Sequence, residues 1–223
     1  GYCVEVIAGQ VKGQAALPLA DLPRNTAAAK PRQRATVRVE PGPAHVCRIG
    51  HAVLKVSDFR VSEAWWKERF GFLTSDEIEA APDVPLGAFM RCDRGTEPAD
   101  HHSVVIAQNA DNLYSHAAFE VIDLDDVAMG QEYLLSRGHR HAWGVGRHLL
   151  GSQIFDYWRD PWGDKFEHFC DSDRFTADCP TGVSALTSGG LYQWGPPPPA
   201  DFESPRITPR FVWRAIKNIR NSN

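Results

Sequence analysis

His-Ala-Val-Leu-Lys-Val-Ser-Asp at residues 51–58 and His-Ala-Ala-Phe-Glu-Val-Ile-Asp at residues 116–123 are two copies of one pattern, matching in register at His, Ala, Val and Asp. A helical stretch follows each copy, at 61–70 and 124–137. Each stretch ends near a glycine, Gly71 or Gly138, that suits a left-handed helix cap. Short strand candidates then follow at 88–92 and 102–107, and at 153–158 and 165–170. Self-similarity of this length predicts a duplicated strand–helix–strand–strand–strand unit.

The repeat sets the expected domain organisation. We predict an α+β fold of paired βαβββ modules, at about 48–109 and 114–171, that form an open barrel-like shell with the helices outside. Together they make a two-module domain at 47–173. Residues 10–46, rich in Ala, Pro, Arg and Lys, are interpreted as a connector, and residues 174–223, with their Gly and Pro runs, as a C-terminal arm.

The first nine residues carry a frame seen again near the end of the second module. Gly1 and Glu5 have the spacing of Gly163 and Glu167. That frame belongs to the last strand of a unit, so residues 1–9 are interpreted as the last strand of a preceding module that is missing from this chain. A chance match of five residues is the alternative.

Strand alternation assigns two faces to each first strand. The apolar positions of both copies are expected to pack beneath the helices: Ala52, Leu54 and Val56, then Ala117, Phe119 and Val121. The opposite faces carry polar residues among apolar ones: His51, Val53 and Lys55, then His116, Ala118 and Glu120. Two such strands in register indicate a functional cleft.

Bulk composition narrows the function classes. The chain has 223 residues, 43% hydrophobic and 23% charged, with a net charge of -4. The charges are scattered and form no basic patch that would bind nucleic acid, and no apolar run approaches the roughly 20 residues that span a bilayer. Neither nucleic acid nor a membrane is therefore expected as a partner. Five cysteines without metal-ligand spacing are interpreted as reduced thiols, and cytoplasm is the expected compartment.

Three residues fit a metal site of two imidazoles and one carboxylate. His51 and His116 occupy equivalent positions in the two copies, so a pseudo-twofold axis would bring them together. Glu167 lies on the last strand of the second module, where a carboxylate among aromatic residues needs a cation or another partner. Two His and one carboxylate leave iron(II) open positions for substrate and oxygen. Taken singly, each residue also fits an ordinary core histidine or an exposed strand glutamate.

The ordered motif resembles the C-terminal domain of type I extradiol dioxygenases, in the vicinal oxygen chelate superfamily. The resemblance covers about 47–173, plus residues 1–9 as the end of that family's N-terminal domain. It rests on Gly50-His51-x-x-Leu54, Asp100-His101-His102, Ser115-His116, Gly146-Arg147-His148, Tyr157 and Glu167. One departure is Gly151, where biphenyl-type members commonly carry aspartate three residues beyond the histidine, which puts the substrate subgroup in doubt.

The resemblance implies a role for each matched residue. His51, His116 and Glu167 would hold Fe(II), with Mn(II) as the other candidate. His102 would stand beside the oxygen site as the acid–base catalyst. His148 and Tyr157 would hydrogen-bond the catechol oxygens or later intermediates. His101 would point to the other face, with a structural role.

The activity implied is ring cleavage beside the diol, with both atoms of O2 entering a catechol-type substrate such as catechol or 2,3-dihydroxybiphenyl. A homo-oligomer is also expected. Two alternatives stay open within the superfamily: a glyoxalase- or epimerase-like lyase with a nonredox metal and an additional carboxylate, and a non-catalytic small-molecule binding protein. His102, interpreted as the counterpart of Glu167 in the first copy, argues against the lyase, and the intact triad argues against the binding protein.

Overall fold

A computed structural model describes residues 2–11, 23–186 and 191–203. The first module comprises β1 (Arg48–Val56), α1 (Phe59–Phe70), β2 (Leu73–Ala81), β3 (Val84–Arg91), β4 (Ala99–Asp100) and β5 (Val104–Gln108). The second comprises β6 (Leu113–Glu120), α2 (Leu124–Ser136), β7 (Arg140–His148), β8 (Ile154–Arg159) and β9 (Lys165–Cys170). The short strands β10 (Arg174–Phe175), β11 (Gly182–Ala185) and β12 (Tyr192–Trp194) follow. The predicted α+β fold of two βαβββ modules is confirmed.

The two modules form one continuous sheet with the strand order β11-β2-β3-β5-β1-β6-β9-β8-β7-β12. Each module contributes four neighbouring strands, and the first strands β1 and β6 pair antiparallel at the centre. The parallel pairs β1–β5 and β6–β9 flank that centre symmetrically. This order is the one expected for a pseudo-twofold axis between β1 and β6.

Each helix begins at an aspartate that ends a repeat copy. The carboxylates of Asp58 and Asp123 accept hydrogen bonds from Val61 N and Asp126 N, which satisfies first-turn amides. Gly71 caps α1 at φ 67°, and Gly138 follows α2 at φ 76°, so both predicted left-handed positions are confirmed.

The helices lie over the face that alternation assigned to them. Val56, Phe59 and Ile106 form one core cluster under α1, with Leu54 packed against it. Val121 and Val127 belong to a second cluster, under α2. The opposite face of the central strands is therefore free to build a cleft.

Two of the long module strands, β2 and β7, were not located by the sequence prediction. Strand β2 carries Asp76, Glu77 and Glu79, and β7 is rich in Arg, His and Gly, so neither has an apolar alternation. Their pairing with β3 and β8 determines them instead. The strand predicted over 102–107 begins later, at Val104.

The outer segments of the chain add little regular structure. Residues 2–11 form no strand with the described part of the chain, and the Tyr2 hydroxyl oxygen lies 2.5 and 2.6 Å from the carbonyl oxygens of Lys55 and Leu113. The predicted strand would pair within a preceding module, so that module stays a prediction. Part of the connector, 12–22, and of the C-terminal arm, 187–190 and 204–223, lies outside the described residues. No described helix has the length and apolar character to cross a membrane.

Candidate metal centre

The strand register places the three predicted ligands together. His51 on β1 pairs with Ala118 on β6, and Ala118 pairs with Glu167 on β9. The three residues form one row across three strands, so their side chains rise from the same face. Ala118 is fully buried, and its small side chain lets His51 and Glu167 approach each other above it. His116 enters from the next row, opposite Val53.

The ligand atoms converge. Nε2 of His51 lies 3.1 Å, and Nε2 of His116 lies 3.3 Å, from Oε2 of Glu167. One candidate ligand atom from each residue lies within 4.8 Å of the other two, and all three side chains are buried. Within the described residues, no fourth His, Cys, Asp or Glu joins this set.

Unsatisfied polar atoms indicate that a cation fits here. Oε1 of Glu167 is buried and has no hydrogen-bond partner among the described residues. Burial would raise the pKa of Glu167, but the imidazoles of His116, His148 and His51 hold the pKa well below its usual range. A buried ionised carboxylate with an orphan oxygen beside two imidazoles is a donor set that suits a divalent transition metal.

A chain of hydrogen bonds orients His102 beside this centre. Nε2 of His101 lies 2.6 Å from Oδ2 of Asp76, and Nδ1 of His101 lies 2.9 Å from Nδ1 of His102. Since an ionised carboxylate only accepts, the network assigns a hydrogen to Nε2 of His101 and another to Nδ1 of His102. Nε2 of His102 then carries a lone pair. Burial, His51 and His101 all lower the pKa of His102 well below its usual value, which favours this neutral form.

A second chain orients His148 and Tyr157. Nδ1 of His148 lies 2.8 Å from the carbonyl oxygen of Leu191, so this nitrogen donates. Nε2 then accepts from the Tyr157 hydroxyl at 2.9 Å. Burial and Glu167 raise the pKa of Tyr157 well above its usual value, so the phenol keeps its proton. Both side chains line the cleft beside the three predicted ligands.

Two symmetric rows of paired residues form the floor of the cleft. The second-module row runs His51, Ala118, Glu167, Tyr157 and Trp143. The first-module row runs His116, Val53, Val105, Phe89 and Asp76. Val105 is therefore the counterpart of Glu167, and the interpretation of His102 as that counterpart was wrong because His102 precedes β5. Val105 offers no metal ligand, so the first module still lacks the second carboxylate that a lyase site would need.

The contacts of His101 define the structural role predicted for it. His102 lines the cleft and His101 does not, as alternation predicted. However, the two rings are hydrogen-bonded to each other, and His101 is fully buried against Phe89 and Phe175. The structural role of His101 is therefore to support the orientation of His102.

The departure at Gly151 has a structural explanation. Gly151 adopts φ 75°, and a Cβ there would lie 3.0 Å from Nδ1 of His101. Gly151 therefore makes room for the Asp76–His101–His102 chain. Gly151 has no part in orienting His148 or Tyr157: His148 is hydrogen-bonded to the Leu191 carbonyl, and His148 and Tyr157 are hydrogen-bonded to each other.

Gly151→Ala should destabilise the protein. The left-handed backbone and the contact with His101 should together lower the free energy of unfolding by about 1–3 kcal/mol. Chemical denaturation of the variant and of Gly42→Ala measures this effect. Gly42 has open space at the Cβ position and no positive φ, so that variant should match the parent. Equal stabilities of all three proteins would contradict the packing described for Gly151.

Several cleft residues were not predicted from the sequence. They include Ile78, Phe89, Trp143, Leu150, Gln153, Leu191, Phe202 and Glu203. Phe89 could have been found by extending the row onto the strand predicted at 88–92, whereas Trp143 lies on β7, which was not predicted. Leu191, Phe202 and Glu203 lie in a Gly- and Pro-rich segment without periodicity, and the sequence carries no signal for their place in the cleft.

The fold and site agree with the comparison to protein families. Residues 48–168 match the Glyoxalase/Bleomycin resistance protein/Dioxygenase superfamily, and the chain belongs to this superfamily.

The individual relatives include a metapyrocatechase, a glyoxalase and a dioxygenase. The chain is 32% identical to metapyrocatechase 2 of Cupriavidus necator over 160 residues, which is 70% of this chain and 46% of that protein. It therefore spans about half the length of this curated relative. A Mn(II)-bound glyoxalase from Novosphingobium aromaticivorans has a TM-score of 0.64 at 25% identity, covering 81% of this chain and 56% of that one. Homoprotocatechuate 2,3-dioxygenase from Brevibacterium fuscum has a TM-score of 0.61 at 17% identity, covering 71% and 49%, and shows likeness of fold.

Proposed function

We propose that this chain carries the catalytic site of an extradiol ring-cleaving dioxygenase, with His51, His116 and Glu167 as ligands to iron(II) or, alternatively, manganese(II). The convergence of these three buried side chains beside His102, His148 and Tyr157 carries the proposal. The similarity to metapyrocatechase 2 supports the same class. A bound iron or manganese ion would supply the affinity for catechol and O2 and the electron transfer between them.

The first task of the chain's own residues is proton transfer. Nε2 of His102 is the basic atom left by the Asp76–His101–His102 chain. It can take the proton of one catechol hydroxyl and return it later in the reaction, which is general acid–base catalysis. Since the bonds to His101 and Asp76 fix the ring, the proton acceptor is oriented before substrate binds.

The second task is to hold the substrate. The hydroxyl of Tyr157 and Nε2 of His148 form a polar edge beside Glu167, which a catechol bound to a metal at this site would face with its oxygens. Apolar residues on the other walls, including Val53, Val105 and Trp143, would pack on the ring and exclude water. The hydrogen bonds fix the oxygens, and the apolar walls fix the ring plane.

The proposal is tested by anaerobic reconstitution. The purified chain is loaded with iron(II), manganese(II), zinc(II) or nickel(II), and each form receives a panel of catechols with O2 and, in a separate assay, a glyoxalase-type substrate. Iron or manganese should give a yellow ring-fission product, and zinc or nickel should not. Turnover of a glyoxalase-type substrate with zinc or nickel, or no turnover with any ion, would contradict the proposal and favour the lyase or the binding protein. The homo-oligomer and the cytoplasmic location stay predictions.

Tyr157→Phe should weaken catalysis without loss of metal. The change removes the hydrogen bond that Tyr157 is proposed to make to a charged oxygen of the bound catechol, so kcat/KM should fall by the equivalent of about 1–3 kcal/mol. Steady-state kinetics on the iron-loaded variant measures the loss. Tyr133→Phe is the matched control, because Tyr133 lies on α2 and does not line the cleft. An unchanged kcat/KM in Tyr157→Phe would remove Tyr157 from the proposed substrate contacts.

A further inference from the structure

The cleft above the metal centre has a distinct outer wall. Leu191, Phe202 and Glu203 reach over it from the segment 191–203. Among the contacts that hold this segment in place, Nε1 of Trp143 donates to the carbonyl of Pro196 at 2.7 Å, and β12 pairs with β7. Phe202 is buried, with ring centroids 4.9 Å from Trp143 and 5.0 Å from Tyr157. The outer wall is therefore part of the packed structure.

The charges at this wall do not favour an anionic ligand. Among the described residues, no Lys or Arg side chain lines the cleft. Two cations pair with Glu203, which lines the cleft: Nζ of Lys165 lies 2.9 Å from Oε1 of Glu203, and Lys55 pairs with Oε2. Lys165 also lies over the Phe202 ring at 3.9 Å. Of the residues that the structure describes, a carboxylate on the substrate would meet Glu203 and apolar side chains, with no free cation among them to pair with.

The space is also limited. The cavity has a volume of about 130 Å³. An apolar protein cavity of about 150 Å³ accommodates one benzene molecule. One aromatic ring with a small group on it therefore matches this volume, and Leu191 and Phe202 are among the side chains that bound it.

From this wall we infer that the site selects a single-ring catechol bearing a small uncharged substituent, such as a methyl group, with Leu191 and Phe202 as the specificity-determining residues. The inference rests on the proposed function. An anionic substituent would lose its hydration without gaining a cationic partner from the described lining of the cleft, which is costly for a buried charge. A second aryl ring would need Phe202 to leave its packed position.

The test compares three probes on the iron-loaded chain: 3-methylcatechol, 3,4-dihydroxyphenylacetate and 2,3-dihydroxybiphenyl. The kcat/KM for 3-methylcatechol should exceed that for either other probe by at least about 100-fold, given the cost of an unpaired buried charge or of displaced packing. Comparable or higher values for the carboxylated or the biaryl probe would overturn the inference.

Two variants should move the selectivity in defined directions. Leu191→Arg supplies a cation at the wall and should raise the relative kcat/KM for 3,4-dihydroxyphenylacetate by about 10-fold or more. Phe202→Ala enlarges the cavity and should raise the relative kcat/KM for 2,3-dihydroxybiphenyl. Leu135→Arg and Phe70→Ala, on the exposed sides of α2 and α1, are the controls and should keep the parent's ratios. If Phe202→Ala does not fold, Leu191→Arg still decides the charge argument, and parent-like ratios in it would overturn the inference.

Failure of the inference and failure of the proposed function have different signatures. Turnover of no catechol at all would overturn the proposed function. Anaerobic calorimetry with the same three probes then still measures selectivity, since binding needs no turnover. Preferred binding of 3-methylcatechol would support the outer wall as argued, and equal or tighter binding of 3,4-dihydroxyphenylacetate would overturn it.

Discussion

Glu167→Gln should abolish tight metal binding and, with it, ring cleavage. The amide keeps the size of the side chain but removes the negative charge that two neutral imidazoles cannot replace. Replacing a residue that only supports a ligand typically costs about 10- to 100-fold in metal affinity, and the loss of a ligand should exceed that. Metal content after anaerobic loading and desalting, with the dissociation constant from competition with a chelator, measures the effect.

Glu120→Gln is the matched control. Glu120 lies on β6 and pairs with Arg48 away from the three ligands, so this variant should keep the parent's metal content and rate. Retention of tight metal binding by Glu167→Gln would contradict the assignment of Glu167 as a ligand. Equal losses in both variants would point to a general effect of charge on the sheet.

His102→Phe should keep the metal and lose turnover by about 10²–10⁴-fold, the usual contribution of a general acid–base catalyst. The phenyl ring replaces an imidazole of similar size that lies against His51 at 4.1 Å between centroids, so the cleft should stay filled. Metal content, anaerobic catechol binding and kcat are measured on the same preparation. Loss of kcat with both bindings retained is the expected pattern.

His101→Phe separates the two adjacent histidines. It removes the acceptor for Nδ1 of His102 and the donor to Asp76, so stability should fall by about 1–3 kcal/mol and kcat by less than in His102→Phe. If His101→Phe abolishes turnover while His102→Phe leaves it intact, the roles assigned to the two residues are reversed and the proposed proton acceptor is wrong.

The repeat was enough to predict the fold and the convergence of His51 and His116. Equivalent residues of two copies must approach each other when the first strands pair about a pseudo-twofold axis, and β1 and β6 do so. Glu167 could be predicted because an ionisable residue on an aromatic strand needs a partner. These inferences depend only on the sequence repeat between the two modules and on the chemistry of single residues.

The supporting residues could not be predicted in the same way. Asp76 lies on β2, a strand with no apolar alternation, and only its pairing beside Phe89 brings it to His101. The position of Val105 opposite Val53 depends on where β5 begins, which differs by two residues from the predicted start. Phe202 reaches the cleft from a Pro-rich segment. In all three cases tertiary pairing decides the position, and local sequence does not encode it.

The balance of O2 consumed against catechol converted tests the central claim most directly. Iron-loaded protein with 3-methylcatechol should consume one O2 for each catechol converted and give a product with the mass of the substrate plus one O2 molecule. A product of unchanged mass without O2 uptake, or one that has only lost two hydrogens as in a quinone, would contradict ring cleavage at the His51–His116–Glu167 centre.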